Sequence, residues 1–207
     1  MLHHYLQLKR RYGIWHTEID PATIVHRRRK DEWPAYIKHW PILACPGNWD
    51  ISHNDYAPFR LEQMKELFED KMPYRQTAFY RRMVDELERN GVTHAPKLRS
   101  REAVDAYFSR LEKLYHSMRN HGYQARSPQR LQQEREITIR IGRDGTPIKS
   151  GEGSHRLALA LLLECERVPV VIDLVHTLWV KACTARFREA PPRAVQLGLD
   201  SLSTDSK

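Results

Sequence analysis

The sequence predicts an α+β fold, in which a small mixed sheet with flanking helices is interrupted by a three-helix insertion. Apolar, β-branched residues at 137–141 and 168–175 predict strands, and an apolar helical run lies between them. Residues 59–122 follow helical spacing instead. The predicted segments are a first sheet part at 14–50, an insertion with its linker at 51–135, a second sheet part at 136–185 and a poorly ordered tail at 186–207.

The first sheet part opens with β-forming residues around a turn signal. Ile14 and Ile19 precede Asp20–Pro21, and Ile24 follows it. This order predicts a strand, a turn and a short helical or extended segment. Residues 33–50 contain three tryptophans and three prolines, which predicts an aromatic-lined loop or short strands rather than a long helix.

The insertion carries three apolar stripes at helical spacing, within 61–68, 79–87 and 104–118. The second stripe stops at Asn90–Gly91, where a glycine C-cap is expected. Ser100 is the predicted N-cap of the third helix, and Gly122 follows its end. Polar residues 124–136 are interpreted as a linker.

The second sheet part is the clearest β pattern. Ile137, Ile139 and Ile141 alternate with polar residues, "GRDG" predicts a turn, and Pro147–Ile148 begins a short second strand. Residues 157–163 are apolar all round, as in a helix buried on several sides. The run "VPVVIDLV" then predicts a buried strand.

Composition narrows the class of protein. The chain has 207 residues, of which 41% are hydrophobic and 29% charged, as in soluble globular proteins. No apolar run approaches the roughly 20 residues of a membrane helix. The N-terminal charges follow the apolar stretch, the wrong order for a secretory signal, so we expect a cytoplasmic protein. Three scattered cysteines, Cys45, Cys165 and Cys183, predict no disulfide framework.

The net charge of +8 suggests a polyanionic partner, either nucleic acid or a phosphorylated small molecule. Much of the excess comes from "HRRRK" at 26–30 and from an arginine-rich middle that includes Arg81–Arg82. Such runs are more often solvated faces than binding sites, so charge alone does not choose between the two partners.

The stretch "KSGEGSHR" at 149–156 carries the main chemical signal. Gly151 and Gly153 allow backbone N–H groups to approach a ligand, and the following helix points its positive end into the same space. Ser154, His155 and Arg156 add a hydroxyl, a ring donor and a bidentate fork. The alternative is a plain corner that Ser154 caps and where nothing binds.

Two better-known motifs do not fit this stretch. A nucleophile elbow requires a glycine two residues after its serine, but Arg156 occupies that position after Ser154. A Walker A loop requires a glycine directly before its lysine, and the residue before Lys149 is Ile148. A serine hydrolase and a P-loop NTPase are therefore not supported.

The order of elements from 136 to 176 resembles the ParB/sulfiredoxin-like fold, in which a strand and a "DG" turn lead to a phosphate motif, a helix and an "IPV" strand. "TEIDPATI" at 17–24 resembles the opening strand and turn of that family. The matching residues are Asp144–Gly145, Gly151, Gly153, His155–Arg156, Ala158, Ala160 and 168–171.

The resemblance implies nucleotide binding, with phosphates held at the glycine turn and the following helix N-terminus. Sulfiredoxins keep a reactive cysteine just before the His–Arg pair, where this sequence has Ser154. Partition-type ParB proteins continue into a helix-turn-helix region, and no such pattern follows Val175. The resemblance is therefore closest to a stand-alone nucleotide-binding or phosphotransfer member.

A phosphotransfer site also needs a carboxylate that holds Mg²⁺ or accepts a proton. Glu152 within the turn and Asp50 in "GNWD" are the two candidates for both roles, and His155 is a third candidate catalytic residue. Either carboxylate has the alternative of a surface or turn-stabilising role. No HExxH or comparable pair predicts a zinc site.

Three further residues are candidate nucleotide contacts. Asn48 offers an amide, and Trp49 offers a stacking face or a core ring. His176 ends the last predicted strand, where ligand-facing residues of α/β sheets often lie.

These observations support three hypotheses. The first is a Mg²⁺-dependent phosphotransferase (a small-molecule kinase) or NTPase that binds ATP, ADP or CTP and an acceptor. The second is a ParB-like DNA- or RNA-binding protein that uses its basic face. The third is a regulatory module without catalysis.

Overall fold

A computed structural model describes residues 15–28, 32–38, 40, 43–52, 54–55, 59–124 and 136–202. Most of the predicted linker, residues 125–135, lies outside this part of the chain, as do Arg29 and Lys30 of the basic run. The described residues form two compact units. Unit 1 contains those within 1–57, 125–157 and 165–207, and unit 2 contains those within 58–124 and 158–164.

The described residues form a mixed α/β structure, as the α+β class predicts. Its strands are β1 (Trp15–Ile19), β2 (His26–Arg27), β3 (Ala44–Cys45), β4 (Asn54–Asp55), β5 (Ile137–Ile141), β6 (Pro147–Lys149) and β7 (Val168–His176). Its helices are α1 (Ala35–Lys38), α2 (Phe59–Phe68), α3 (Ala78–Asn90), α4 (Arg101–His121), α5 (Ser154–Leu162), α6 (Thr177–Phe187) and α7 (Pro191–Leu202).

One mixed sheet in unit 1 contains all seven described strands, in the order β1-β7-β5-β6-β2-β4 with β3 also paired to β7. β7 is central: β5 runs parallel along one edge, while antiparallel β1 and parallel β3 pair with successive parts of the other edge. β5 and β6 form an antiparallel hairpin around the "GRDG" turn. β2 continues the sheet parallel to β6.

The core of unit 1 lies against this sheet. Ile137, Ile139 and Ile141 are fully buried. The alternating isoleucines of β5 therefore face the core on one side of the sheet. A second cluster joins Trp33, Ile37, Cys45, Trp49, Ile148 and Leu174. The Trp49 ring is completely buried and its Nε1–H donates to the carbonyl of Cys45 at 3.1 Å. Trp49 is therefore a core residue that offers no exposed face to a base.

Unit 2 contains α2, α3 and α4, the three helices that the apolar stripes predict. Thr77 caps α3 and Ser100 caps α4, each by accepting a main-chain N–H three residues later. Gly91 ends α3 with φ +66°, a backbone conformation that glycine adopts without strain. The rings of Phe68 and Tyr115 stack at 4.0 Å between α2 and α4. The predicted caps and helix ends are thus confirmed.

The predicted poorly ordered tail is wrong for residues 191–202. These residues form α7, which buries Ala194, Val195, Gly198 and Leu199. Their i, i+1, i+4, i+5 spacing is helical, and a proline at the first helical position is compatible with a helix start. Pro191–Pro192 was therefore a start signal rather than a sign of disorder. Helix α6 was not predicted either.

No helix among the described residues combines the length and the apolar character that crossing a membrane requires.

Candidate functional site

The "GEGS" turn follows β6 and lies directly on β5. The N–H of Ser150 donates to the carbonyl of Thr138 at 3.1 Å, and the N–H of Thr138 donates to the carbonyl of Glu152 at 3.2 Å. These two bonds extend the β5–β6 ladder past the end of β6. The turn is therefore anchored to the central part of the sheet.

Both glycines of the turn pack closely on β5. Gly153 has φ +84°, and a Cβ placed on it would lie 2.6 Å from the Cα of Ile137. A Cβ on Gly151 would lie 3.2 Å from the Cβ of Thr138. The first contact is with backbone, which cannot move aside, whereas the second is with a side chain. Glycine is hence obligatory at 153, whereas a side chain at 151 would require Thr138 to shift by a few tenths of an ångström.

Lys149, the last residue of β6, is a buried cation beneath this turn. Only 1% of the residue is exposed, and its Nζ donates to the carbonyls of Gly151 at 2.7 Å and Glu152 at 2.6 Å. No Asp or Glu of the described residues forms a salt bridge with it. Burial, reinforced by the nearby charge of Arg27, lowers the pKa of Lys149 to about 7.

The two carbonyls that Lys149 binds determine where the turn's N–H groups point. In a trans peptide the C=O and the following N–H point in opposite directions. Since the carbonyls of Gly151 and Glu152 face Nζ, the N–H groups of Glu152 and Gly153 face away from it. Neither N–H donates to any residue that the structure describes. Successive unbonded N–H groups of this kind form anion-binding concavities.

Helix α5 begins immediately after the turn. Its first hydrogen bond runs from the N–H of Leu157 to the carbonyl of Gly153. Gly153 is thus the N-cap residue, and Ser154 is the first helical residue rather than the cap that its residue type suggested. Ser154 and His155 are both half-buried in the first turn, where the helix dipole is positive.

Arg156 pairs with a buried carboxylate. Its Nη1 lies 3.6 Å from Oε2 of Glu136, and the two side chains are 13% and 2% exposed. Arg156 was predicted as a phosphate fork, and the structure gives it this partner inside the protein. Glu136 directly precedes β5, and the sequence does not predict its burial, because a single glutamate before a strand gives no signal of it.

Asp50 lies at the other end of the β5–β6 hairpin, held by Arg143 of the "GRDG" turn. Nε and Nη2 of Arg143 donate to both carboxylate oxygens at 2.8–3.2 Å, and its main-chain N–H donates to Oδ2 at 2.7 Å. Burial alone would raise the pKa of Asp50, but these hydrogen bonds outweigh it and lower the pKa below its ordinary value.

Asn48 and His176 complete this cluster. Oδ1 of Asn48 accepts from Nη2 of Arg143 at 3.1 Å. Nδ1 of His176 accepts a hydrogen bond from the N–H of Leu178 at 3.0 Å, which caps the start of α6. Nε2 of the same ring lies 2.8 Å from the carbonyl oxygen of Gly47. A ring nitrogen that accepts carries no proton, so His176 is the neutral tautomer with its proton on Nε2. The Nε2 of His176 also lies 3.8 Å from Oδ1 of Asp50.

The structure separates Glu152 and Asp50, the two carboxylates that the sequence offers as candidate metal ligands. The main-chain carbonyl of Glu152 is paired with Thr138 near the start of β5, whereas the carboxylate of Asp50 binds Arg143 just beyond its end. The strand rise between 138 and 142 places the main-chain positions that hold them about 13 Å apart along the hairpin. One ion cannot bind both. Among the described residues no group of three His, Cys, Asp or Glu is placed to hold a metal.

The predicted site residues thus fall into two groups. Gly151, Glu152, Gly153, Ser154, His155 and Arg156 form the turn and the start of α5, whereas Asn48, Asp50 and His176 surround Arg143. Sequence reasoning missed Lys149, Glu136 and Arg143, which hold these two groups in place. No known protein family, curated protein or solved structure matches this chain.

Proposed function

We propose that this chain is a stand-alone nucleotide-binding protein of the ParB/sulfiredoxin-like class, with phosphotransferase or NTPase activity. Phosphates of ATP, ADP or CTP bind to the turn and the start of α5 between Gly151 and Arg156. In this proposal the helices within 51–135 are an insertion into the nucleotide-binding core. The order of β5, turn, β6, α5 and β7 supports the assignment to this class.

The observation that carries the proposal is the pair of outward main-chain N–H groups at Glu152 and Gly153. They directly precede the N-terminus of α5, whose own dipole favours negative charge at the same place. A phosphate has several acceptor oxygens, so it can accept from both N–H groups and from the side chains of Ser154 and His155.

The chemistry of phosphoryl transfer assigns roles to two more residues. His155 lies in the first turn of α5, where its ring can donate to a phosphate oxygen or exchange a proton. Glu152 is exposed and is the remaining candidate for a magnesium ligand, because the oxygens of Asp50 are engaged by Arg143. Mg²⁺ usually keeps several waters and takes only one or two protein carboxylates. Glu152 alone is therefore sufficient as the protein ligand of a Mg²⁺ ion that is bound to the nucleotide and neutralises its phosphate charge.

The basic face carries less support as a nucleic-acid surface. Arg28 donates to the carbonyls of Glu32 and Trp49, and Arg81 donates to the carbonyl of Gln76. These guanidinium groups already have partners within the fold. Binding to nucleic acid is accordingly the alternative outcome of the test rather than a second proposal.

The test is a panel of ATP, ADP, CTP and GTP, each with and without Mg²⁺, read as the shift of the thermal unfolding midpoint. Wild type is compared with His155→Ala in the turn helix and with Lys181→Met, which removes an exposed charge on α6. We expect at least one nucleotide to stabilise wild type and Lys181→Met equally and His155→Ala less. If no nucleotide stabilises wild type, the proposal is wrong.

Catalysis is tested separately with the nucleotide that binds. Phosphorus NMR distinguishes release of inorganic phosphate, which indicates an NTPase, from a new phosphate ester with an added small-molecule acceptor, which indicates a kinase. Binding without either product would identify a regulatory module. Retention on DNA or RNA that weakens steeply with salt, without any nucleotide effect, would favour the nucleic-acid alternative.

A further inference from the structure

Lys149 is a buried cation whose counter-ion is not supplied by the described part of the protein. Its Nζ is bonded to two neutral carbonyls of the turn, and no carboxylate there forms a salt bridge with it. The charged groups that act on it from a distance are Arg27 on the paired strand β2, Glu152 in the turn and Asp173 on β7. Buried charges are normally paired, because removal from water without a partner is costly.

The bound carbonyls connect this charge to the proposed phosphate position. Lys149 holds the carbonyls of Gly151 and Glu152 on its side of the turn, so the N–H groups of Glu152 and Gly153 face the other side. An anion that accepts hydrogen bonds from these N–H groups would lie on one side of the two peptide units, and the charged Nζ of Lys149 lies on the other side. A negatively charged ligand at this position would therefore balance the charge of Lys149, for which the turn supplies no counter-ion.

We propose that Lys149 is the positioning residue of the phosphate turn, and that its positive charge, acting through the two peptide groups it orients, selects a multiply charged phosphate group as the ligand. This inference rests on the proposed function, because it concerns the same turn. It adds that the recognised group is the di- or polyphosphate itself rather than the base.

The expected ligand is therefore a base-free polyphosphate as well as a nucleotide. Inorganic pyrophosphate carries the same phosphate chemistry as a nucleoside diphosphate without sugar or base. Removal of a unit charge a few ångströms from the ligand, in a partly desolvated site, is expected to weaken binding at least about tenfold. The energetic cost of burying Lys149 also disappears, so binding and stability change in opposite directions.

The test is isothermal titration of pyrophosphate at about pH 6, where Lys149 is charged, with chemical denaturation of each variant without ligand. Lys149→Met removes charge and donors, Lys149→Gln keeps a neutral donor, and Lys149→Arg keeps the charge. Lys181→Met is the control for net charge, since Lys181 is exposed on α6.

We expect pyrophosphate to bind wild type, Lys181→Met and Lys149→Arg with similar affinity. Lys149→Met is expected to unfold at higher denaturant concentration than wild type yet to bind at least about tenfold more weakly. A merely structural lysine would not couple a gain in stability to a loss of binding. If Lys149→Met fails to fold, the affinity and stability of Lys149→Gln are compared with those of wild type instead.

Equal affinity of wild type and a folded, uncharged variant would overturn this inference and leave the proposed function standing if nucleotides still bind. If wild type binds nucleotides but no pyrophosphate, the ligand is recognised through its base or sugar, and the inference is also wrong. If wild type binds neither ligand, the proposed function itself fails.

Discussion

Arg143 binds Asp50 through both its side chain and its main-chain N–H, across 93 positions of sequence. The Asp50 side chain is 3% exposed and the Arg143 side chain 34% exposed, so the pair lies at the edge of the core. It ties the loop at 47–50 to the turn of the β5–β6 hairpin. Asp50 therefore stabilises the fold at the end of the hairpin that lies away from the "GEGS" turn.

Arg143→Ala is expected to destabilise the protein by about 3 kcal/mol, because it leaves a buried carboxylate without its cation. The double variant Asp50→Asn with Arg143→Met removes both charges and should lose less than the single variant. Urea denaturation of the three proteins measures the difference. A double variant that is no more stable than Arg143→Ala would contradict this account of the pair.

Acid should remove the contribution of Asp50. Its folded-state pKa is lowered by Arg143, so its stabilisation is present above the unfolded value of about 4 and is lost as pH falls through the folded value. The difference in unfolding free energy between wild type and Asp50→Asn should thus shrink below about pH 4. A constant difference across this range would mean that folding does not lower the pKa of Asp50, and would contradict this account.

Lys149 should also make stability rise with pH, but in a window near and above neutral pH. Its folded-state pKa of about 7 is below that of an unfolded lysine, so the unfolded chain binds more protons between these values. Wild-type stability relative to Lys149→Met is therefore expected to rise with pH, by about 3 kcal/mol from about pH 6 to about pH 9.

Subtracting the pH profile of Lys149→Met from that of wild type removes the contribution of cysteine and tyrosine titration, because both proteins contain these residues. A flat difference would mean that Lys149 titrates as an ordinary exposed lysine.

Gly153→Ala tests the close packing of the turn on β5. Gly91 is the matched control, since it also has a positive φ but nothing lies within 4 Å of a Cβ placed on it. Gly91→Ala should therefore cost about 1 kcal/mol from backbone strain alone. Gly153→Ala adds a collision with the backbone of Ile137 and should cost about 3 kcal/mol or more. Equal losses in thermal unfolding would argue against the collision.

The local part of the fold could be predicted from sequence, because spacing and caps report on neighbouring residues. The alternation in β5, the Ser100 cap and the Gly91 stop all gave correct elements. β3 and β4 have two residues each, too few for any periodic pattern. Their position depends on the strands that they pair with.

The candidate site could be predicted only where it is continuous in sequence. "GEGSHR" identified the turn and the start of α5. The partners that define Asp50 and Arg156 are Arg143 and Glu136, which are distant in sequence and have no distinctive neighbours. Lys149 is adjacent to the motif, but lysine is so rarely buried that its residue type predicts an exposed side chain.

The central claim is that phosphates bind the N–H groups of Glu152 and Gly153. The most direct measurement is a titration of ¹⁵N-labelled protein with pyrophosphate and with the stabilising nucleotide, following both amide resonances by NMR. We predict that both amide protons move downfield and saturate together with Ser154 and His155, while Asn48 and Asp50 stay in place. Unmoved Glu152 and Gly153 resonances at saturating ligand, or shifts confined to residues around Arg143, would contradict the account.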